Sequence, residues 1–452
     1  MPGQSKIYLP LLAAASSGLY YILLFFTPRE NFLQVISLFG GLFILYLLLV
    51  RFSQNLRVHF IFILALIFHI IPLLSPQTLP ALSDDFYRFI WDGRLLTQGV
   101  NPFAMIPEEY MKNPEHALQL GLTPELYQGL NSKTYFTIYP PVLQGVFYMA
   151  AFISPDSIPG SVWVMKMVIL LAEIGSIGLM IKLLRHFELP VPLVSWYAFN
   201  PLVIVELTGN LHFEVLMIFF LLWALWWFVQ GKWQLSSVPF ALAVGSKLLP
   251  LMFLPLLIRR IGWVKTFVYG ALVVTITVFL FVPVFDQETF RNLYQSIDLY
   301  FHKFEFNASI YYLVRWVGYQ QVGYNVIQTV GKYLAMAVVI AIGVYSFFEK
   351  NPDDKNLPAG WLWVLIFYFS LASIVHPWYV TSLVAFSIFT HYRFAIVWSF
   401  FVLLSYFTYQ TTAYHENLWL TALEYFILGG WIIFELKNQT GDKPVKSPNQ
   451  TF

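Results

Sequence analysis

The sequence predicts an all-α, polytopic membrane protein, and three observations predict it. Of its 452 residues, 58% are hydrophobic and only 11% charged, with a mean hydropathy of +0.65, far from the usage of a soluble domain. Windows of 18 or more nearly uncharged residues recur along the chain, and a bilayer core of roughly 30 Å takes about 20 apolar residues as a helix. No ten-residue alternating pattern of a barrel accompanies them, so backbone groups in lipid have to be satisfied within helices. The net charge of +2 offers nothing to nucleic acid, and the lack of cysteine excludes disulfides and thiol chemistry without fixing the compartment.

From the N-terminus, residues 6–26 read as a first helix. Its basic start and the small residues at 13–17 have the look of a signal peptide, but the apolar run continues past them, which favours an uncleaved helix. Further helices are read at 32–50, 58–76, 161–183, 190–208, 215–230, 263–284, 326–347, 358–375, 377–392, 393–410 and 416–436. Segment 235–258 is long enough to span, yet Lys247 sits at its middle beside Gly245 and Pro250. A lysine at the centre of a lipid-facing helix costs roughly 2.5–3.5 kcal/mol on insertion scales, so two short helices meeting at Lys247 are expected. Segment 139–154 is expected to re-enter or to lie at the interface, because only then do Lys182, Arg185 and His186 join the other basic loops on the cytoplasmic side. The sum is a bundle of about 12 to 14 transmembrane helices. Residues 1–57 form a two-helix N-terminal extension, 58–437 the membrane catalytic domain, and 438–452 a disordered cytoplasmic tail; no internal repeat stands out.

On this topology the outer face carries loop 77–138, the turn 209–214, the apex at Lys247, loop 285–325 and the turn at His376. The first loop opens with SDDFYRFIWDG, three aspartates and an arginine among aromatics. Asp84, Tyr87, Arg88 and Trp91 follow the i, i+3, i+4, i+7 spacing of one helical stripe, with Asp85, Phe89 and Asp92 on the next. Ser83 or Asp84 suits an N-cap, and either Asp suits an ion pair with Arg88. The turn GNLHFE adds His212 and Glu214 at another helix start. Carboxylates from two outer loops then converge where a substrate hydroxyl needs a base, and a sugar on a lipid phosphate is an electrophile reactive enough for Asp or Glu to serve. Lys247, Arg88, Arg94, Arg315 and His376 are the candidate cations for the phosphate. Tyr87, Trp91 and Tyr139, with Pro140 opening a short helix, are read as lining the substrate. No strong metal-ligand spacing is present, so no metal ligand is assigned; Mg or Mn bridging Asp84 and Glu214 is the one divalent cation the pattern admits.

The blocks SDDFYRFIWDGRLLTQGVNPF, YFTIYPPVLQG, FNPLVIVELTGNLHFE and SKLLPLMFLPLL, in that order across residues 80–260, resemble the membrane glycosyltransferases of the GT-C fold. The likeness is greatest to the polyprenyl-phosphate-mannose-dependent branch, with its PIG-M-like and mycobacterial mannosyltransferases. An aspartate three residues before a tyrosine in the first large outer loop acts as base in that family; here it is Asp84 before Tyr87. The PIG-M-like second acid falls where this chain has Phe86, with Asp85 one step earlier, which weighs against a metal-binding DxD role. The YPP block is matched by Tyr139, Pro140 and Pro141, and the acidic turn by His212 and Glu214. The resemblance implies an inverting transfer of a hexose, mannose above all, from a polyprenyl-phosphate donor to a glycan or glycolipid acceptor on the outer face; a compact chain without a luminal domain leads us to expect a bacterial inner membrane, with an endoplasmic reticulum membrane as the alternative. In that expectation Asp84 is the base, Asp85 and Arg88 orient it, and Lys247 with Arg94 faces the donor phosphate. A lipid-linked sugar flippase or a polysaccharide polymerase is the alternative; it needs cations and helices but no carboxylate pair in a structured loop.

Overall fold

The computed structural model describes residues 2–441 apart from 76, 287, 412 and 413, so the tail expected at 438–452 lies outside the described residues from 442 onward. Helices α1 (Pro2–Phe25) and α2 (Phe32–Ser53) pack as a hairpin, followed by α3 (Val58–Ile70). The first outer loop folds into α4 (Phe86–Thr97) and three short helices, α5 (Pro107–Tyr110), α6 (Pro114–Gln119) and α7 (Pro124–Gly129). Each of those three opens on a proline, whose missing N–H costs nothing at a first turn. Helices α8 (Pro141–Ile153) and α9 (Ile158–His186) come next, then the fragments α10 (Ser195–Ala198) and α11 (Pro201–Val203). The chain continues through α12 (Glu214–Val229), α13 (Trp233–Ser246) and α14 (Ile258–Phe281), with a 3-10 stretch at Leu249–Leu257 carrying Pro250 and Pro255. Helices α15 (Thr289–His302) and α16 (Ile310–Val322) fill the second outer loop, before α17 (Ile327–Phe348), α18 (Leu357–Leu371), α19 (Val380–Ser387), α20 (Phe394–Phe401) and α21 (Leu418–Gly441).

One contiguous apolar core runs from Tyr20 to Leu428, and α1 and α2 belong to it. Phe39 and Tyr46 of α2 are buried there, and the Tyr46 hydroxyl donates to the Trp196 carbonyl at 2.8 Å. The N-terminal hairpin is therefore packed into the bundle. Outward faces are bare hydrocarbon, with Val264, Phe267 and Phe279 on α14 exposed by 70% or more and Phe426 on α21 by 80%. A soluble protein does not present such continuous apolar surface, whereas lipid accepts it. The chain is an all-α integral membrane protein.

The spans are fewer than the expected 12 to 14. Among the described residues six helices are long and apolar enough to cross, or seven if the bent pair Val191–Ala198 and Pro201–Gly209 counts as one span, alongside four shorter apolar helices. Backbone breaks account for the difference. Segment 190–208 bends by 51° where Asn200 leaves helical geometry ahead of Pro201 and caps the next turn by accepting from Leu202 N. Segments 377–392 and 393–410 shorten to eight-residue helices, the second running on as a 3-10 stretch at Val402–Gln410. The two short helices expected to meet at Lys247 are present, with Lys247 extended between them. At 13 residues α8 falls short of the roughly 20 a bilayer core takes.

Helix α4 lies against α8 at van der Waals limit. A Cβ on Gly93 would stand 2.2 Å from the Phe147 carbonyl oxygen, whereas one on Gly145 meets nothing within 4 Å. Gly93→Ala is accordingly expected to destabilise the detergent-solubilised protein by about 1–3 kcal/mol, the usual range for overpacking, and Gly145→Ala to leave it unchanged. Thermal unfolding of the two variants beside the wild type checks this; equal midpoints for all three would show that α4 does not rest on α8.

Candidate active site

Asp84 and Asp85 stand just ahead of α4. The residue at its N-cap is Asp85, whose side chain makes no capping bond to the helix, so both carboxylates are turned to other partners and neither is spent on the cap. Arg29, from the α1–α2 turn, donates from Nη2 to Asp84 Oδ2 at 2.9 Å. The Asn131 amide, just after α7, donates to Asp84 Oδ1 and Asp85 Oδ1, both at 2.8 Å. His212 approaches from the far side, its Nε2 3.7 Å from Asp85 Oδ2. Two adjacent anions repel, and here an amide between them and a cation on each outer flank offset that repulsion.

Local backbone geometry aims His212. The chain after α11 widens into a π-helical turn over Ile204–Gly209, and Leu211 adopts φ 64°, unusual for a residue with a branched side chain. This returns the ring under Glu206: Nδ1 lies 3.0 Å from the Glu206 carbonyl oxygen and 3.1 Å from its Oε2. Glu206 is itself fully buried and accepts from the Tyr406 hydroxyl at 2.7 Å and from Asn210 Nδ2 at 3.2 Å. Burial opposes charge on His212, but the negative charges of Asp85 and Glu206 on its two sides, with the contacts of Nδ1 to Glu206, prevail and raise its imidazole to about 9. For Asp85 burial acts upward, and His212 and Asn131 outweigh it, holding the carboxyl below its ordinary value. His212 is thus an imidazolium clamped between two carboxylates.

Rings cover the pair. The His212 ring stacks on Trp378 at 3.6 Å between centroids, Trp378 stacks on His376 at 4.3 Å, and His376 meets Phe306 at 4.7 Å. Burial lowers His376 to about 3, so its imidazole is neutral when no anion is bound beside it. Lys247 pairs with Glu214 and sits over the Tyr379 ring, 3.7 Å from its centroid.

Two cavities meet at this point. The smaller, about 360 Å³, is walled by Tyr139, Pro140, His212, Glu214, Lys247 and Tyr379. The larger, about 700 Å³, is bordered by Arg29, Asp84, Asn131, Tyr135, Glu305 and Tyr409. Asp85, Ile138, Tyr139, His376 and Trp378 line both.

Other expected site residues have other partners. Arg88 borders the larger cavity, where it pairs with Asp92 at 2.9 Å and donates to the carbonyls of Ser132 and Tyr135, tying loop 131–136 to α4. Trp91 is fully buried against Tyr110 and Tyr127, and Tyr87 packs where a Cβ on Gly129 would go. Arg94 is buried and donates to the Gly121 carbonyl at 2.6 Å, far from any phosphate role at Lys247. Of the expected stripe, Asp84 and Arg88 thus border the larger cavity, while Tyr87 and Trp91 pack into protein. Arg315 pairs with Glu305, which Tyr311 and Asn325 also hold, and reaches the larger cavity only through that carboxylate. The sequence reading missed Arg29, Asn131, Glu206, Trp378 and Tyr379. Glu206 carried a signal, as an acid inside the apolar run IVELTG.

The carboxylates expected to bridge a divalent cation face cations of the chain itself. Asp84 faces Arg29, Asp85 faces His212, the Asn131 amide occupies the bridge between them, and Glu214 is taken by Lys247. Among the described residues no group of three His, Asp or Glu side chains has metal-holding geometry.

A family model described as alpha-(1->6)-mannopyranosyltransferase, N-terminal domain, matches residues 11–262, more than half of the chain. Alpha-(1->6)-mannopyranosyltransferase A of Mycobacterium tuberculosis (strain ATCC 25618 / H37Rv) is 22% identical over 332 residues, which cover 67% of this chain and 60% of that relative. The chain thus matches about three fifths of the length of that curated relative. The matched family stretch holds Arg29, the two aspartates, Asn131, Glu206, His212, Glu214 and Lys247; the Trp378 ring comes from beyond it.

The clamp on His212 has a measurable pH signature. A histidine raised from its ordinary 6.5 to about 9 contributes stability that is fully present below about 6.5 and is lost as pH rises through about 9. The loss is on the order of 3 kcal/mol at most. Asp85→Asn removes one of the two carboxylates, so its alkaline loss of stability is expected to begin at lower pH than in the wild type. Unfolding midpoints from pH 6 to 10 check this, and superimposable profiles would show that Asp85 does not hold the proton on His212.

Proposed function

The chain belongs to the alpha-(1->6)-mannopyranosyltransferase family, and we propose that it transfers a mannosyl residue from a polyprenyl-phosphate-linked donor to a hydroxyl of a glycan or glycolipid acceptor, with inversion, on the outer face of a bacterial inner membrane. The observation that carries the reading is the meeting of two cavities at Asp85. In-line displacement needs the leaving phosphate on one side of the sugar and the attacking hydroxyl on the other, with a base at the junction.

The smaller cavity takes the donor and the larger the acceptor. Lys247 is the cation of the smaller cavity, and an ammonium carries three donors, of which Glu214 engages one. The remaining charge stabilises the phosphate as its bond to the anomeric carbon lengthens. The acceptor hydroxyl oxygen bonds to that carbon, the carbon–oxygen bond to the phosphate breaks, polyprenyl phosphate leaves, and the hydroxyl proton passes to Asp85. A phosphate departs without an acid, so a carboxylate of low basicity suffices once it is positioned. His212 and Asn131 keep Asp85 ionised and immobile. No step is routed through a metal.

Asp85 is assigned the base because it borders both cavities, whereas Asp84 borders the larger alone and is engaged by Arg29. Asp84, the base expected from the sequence, is the second reading. It is favoured by one observation, that Asp84 lines the larger cavity, where the acceptor is placed, with a side chain still 27% exposed.

Transfer of labelled mannose from synthetic polyprenyl-phosphate-mannose in proteoliposomes tests both. Asp85→Asn is expected to lower kcat by about 10²–10⁴, the range of a lost general base, and Asp84→Asn to retain measurable turnover. A fully active Asp85→Asn would sink the assignment, and a reversed order would transfer the role to Asp84. Lys247→Gln is expected to raise the donor KM and lower kcat together; unaltered kinetics would remove Lys247 from the phosphate.

A further inference from the structure

A third cavity lies beside the smaller one and has a different character. It measures about 190 Å³ and is walled by Met252 of the 3-10 stretch, by Ile327, Leu334, Ala335 and Val338 of α17, and by Leu371 at the end of α18. Among the described residues that line it none is charged. Tyr368 lines this groove and also the cavity that holds Lys247. The 3-10 stretch is shared in the same way, contributing Leu249 to the cavity and Met252 to the groove. Helix α17 is one of the helices long enough to cross the bilayer. Its outer side is open to hydrocarbon, with Val339 at the groove rim exposed by 69% and the neighbouring Met336 by 51%.

We infer that this groove between α17, α18 and Leu249–Leu257 seats the isoprenoid chain of the phosphate-linked donor, with Tyr368 at the point where the chain leaves the phosphate cavity. The inference rests on the donor reading above. A phosphate held at Lys247 brings with it a chain too long for the cavity of about 360 Å³ to hold beside the sugar, and burial against further apolar surface is what stabilises it. The groove is the apolar wall continuous with that cavity, and it opens sideways to lipid, from which a long-chain substrate arrives. A bilayer acyl chain is the competing occupant, and it is not linked to the sugar that the site transfers.

Chain-length dependence separates these occupants. Kinetics are measured with mannosyl phosphate on a polyprenol of about ten isoprene units and on citronellol, which has two, for wild type, Ala335→Trp and Ala372→Trp, which fill the groove from opposite walls. Each variant is expected to raise the KM of the long donor at least about tenfold and to leave the citronellyl donor within about twofold of wild type. Comparing variants on one donor cancels its partition into the membrane. Equal effects on both donors, or none on either, would overturn the inference and leave the groove to bilayer lipid. Should either tryptophan prevent folding, a long-chain polyprenyl phosphate bearing a diazirine near its phosphate is crosslinked to the wild-type protein. Label on peptides of α17, α18 or the Leu249–Leu257 stretch supports the route, and label confined to other parts of the chain overturns it. Absence of transfer from either donor by wild type is a separate result that refutes the donor reading itself.

Discussion

The end of the bundle that holds the candidate site is arranged around two carboxylates adjacent in sequence, Asp84 and Asp85. Unpaired, they would repel each other and one would take up a proton. Arg29, Asn131 and His212 converge on them from three separate parts of the chain, and each has its own support behind it. His212 is the most constrained. It carries charge in a buried position only because Glu206 stands on its other side, and Glu206 in turn is held by Tyr406 and Asn210. Removing one partner of such a network leaves a buried charge without compensation, which costs more than the pair itself contributes.

That network explains where the backbone breaks. The bend at Pro201, the π-helical turn, the left-handed Leu211, the extended Lys247 and the extended His376 ahead of Pro377 all fall at residues that supply the site. Irregular backbone at membrane depth is tolerated where protein or a polar cavity satisfies it, and nowhere else. A regular helix through 190–208 or 235–258 would have given more complete spans and no means of turning His212 or Lys247 inward. The span count and the site are thus two results of the same set of breaks.

Much of this was legible in the sequence, for a physical reason. Charge is expensive in so apolar a chain, so Asp84, Asp85, His212, Glu214 and Lys247 announced themselves, and Tyr139 and Pro140 followed from their place beside the loop. Helical spacing was a poorer guide. It placed Tyr87, Arg88 and Trp91 on one stripe but carried no information on whether that stripe meets a cavity or protein, and α4 turned out to be buried on nearly every side. Arg94 and Arg315 show the same limit, since a cation in a loop looks alike whether it meets a carbonyl, a carboxylate or a phosphate. Arg29 and Asn131 read as ordinary turn residues, because their role depends entirely on tertiary approach. Trp378 was hidden among the 15 tryptophans of the chain.

The reach of these contacts also sets an order of assembly during synthesis. Arg29 precedes Asp84 by only 55 residues and Asn131 follows Asp85 by 46, so these partners are available soon after the first outer loop emerges from the translocation machinery. Tyr406 lies 200 residues beyond Glu206, and the Trp378 ring that covers His212 comes from the same late region. Until that part of the chain is inserted, Glu206 has no hydroxyl to bond and His212 no ring to lean on. A chain truncated before that point would carry the whole matched family stretch and still hold the two aspartates in an uncovered, half-built setting.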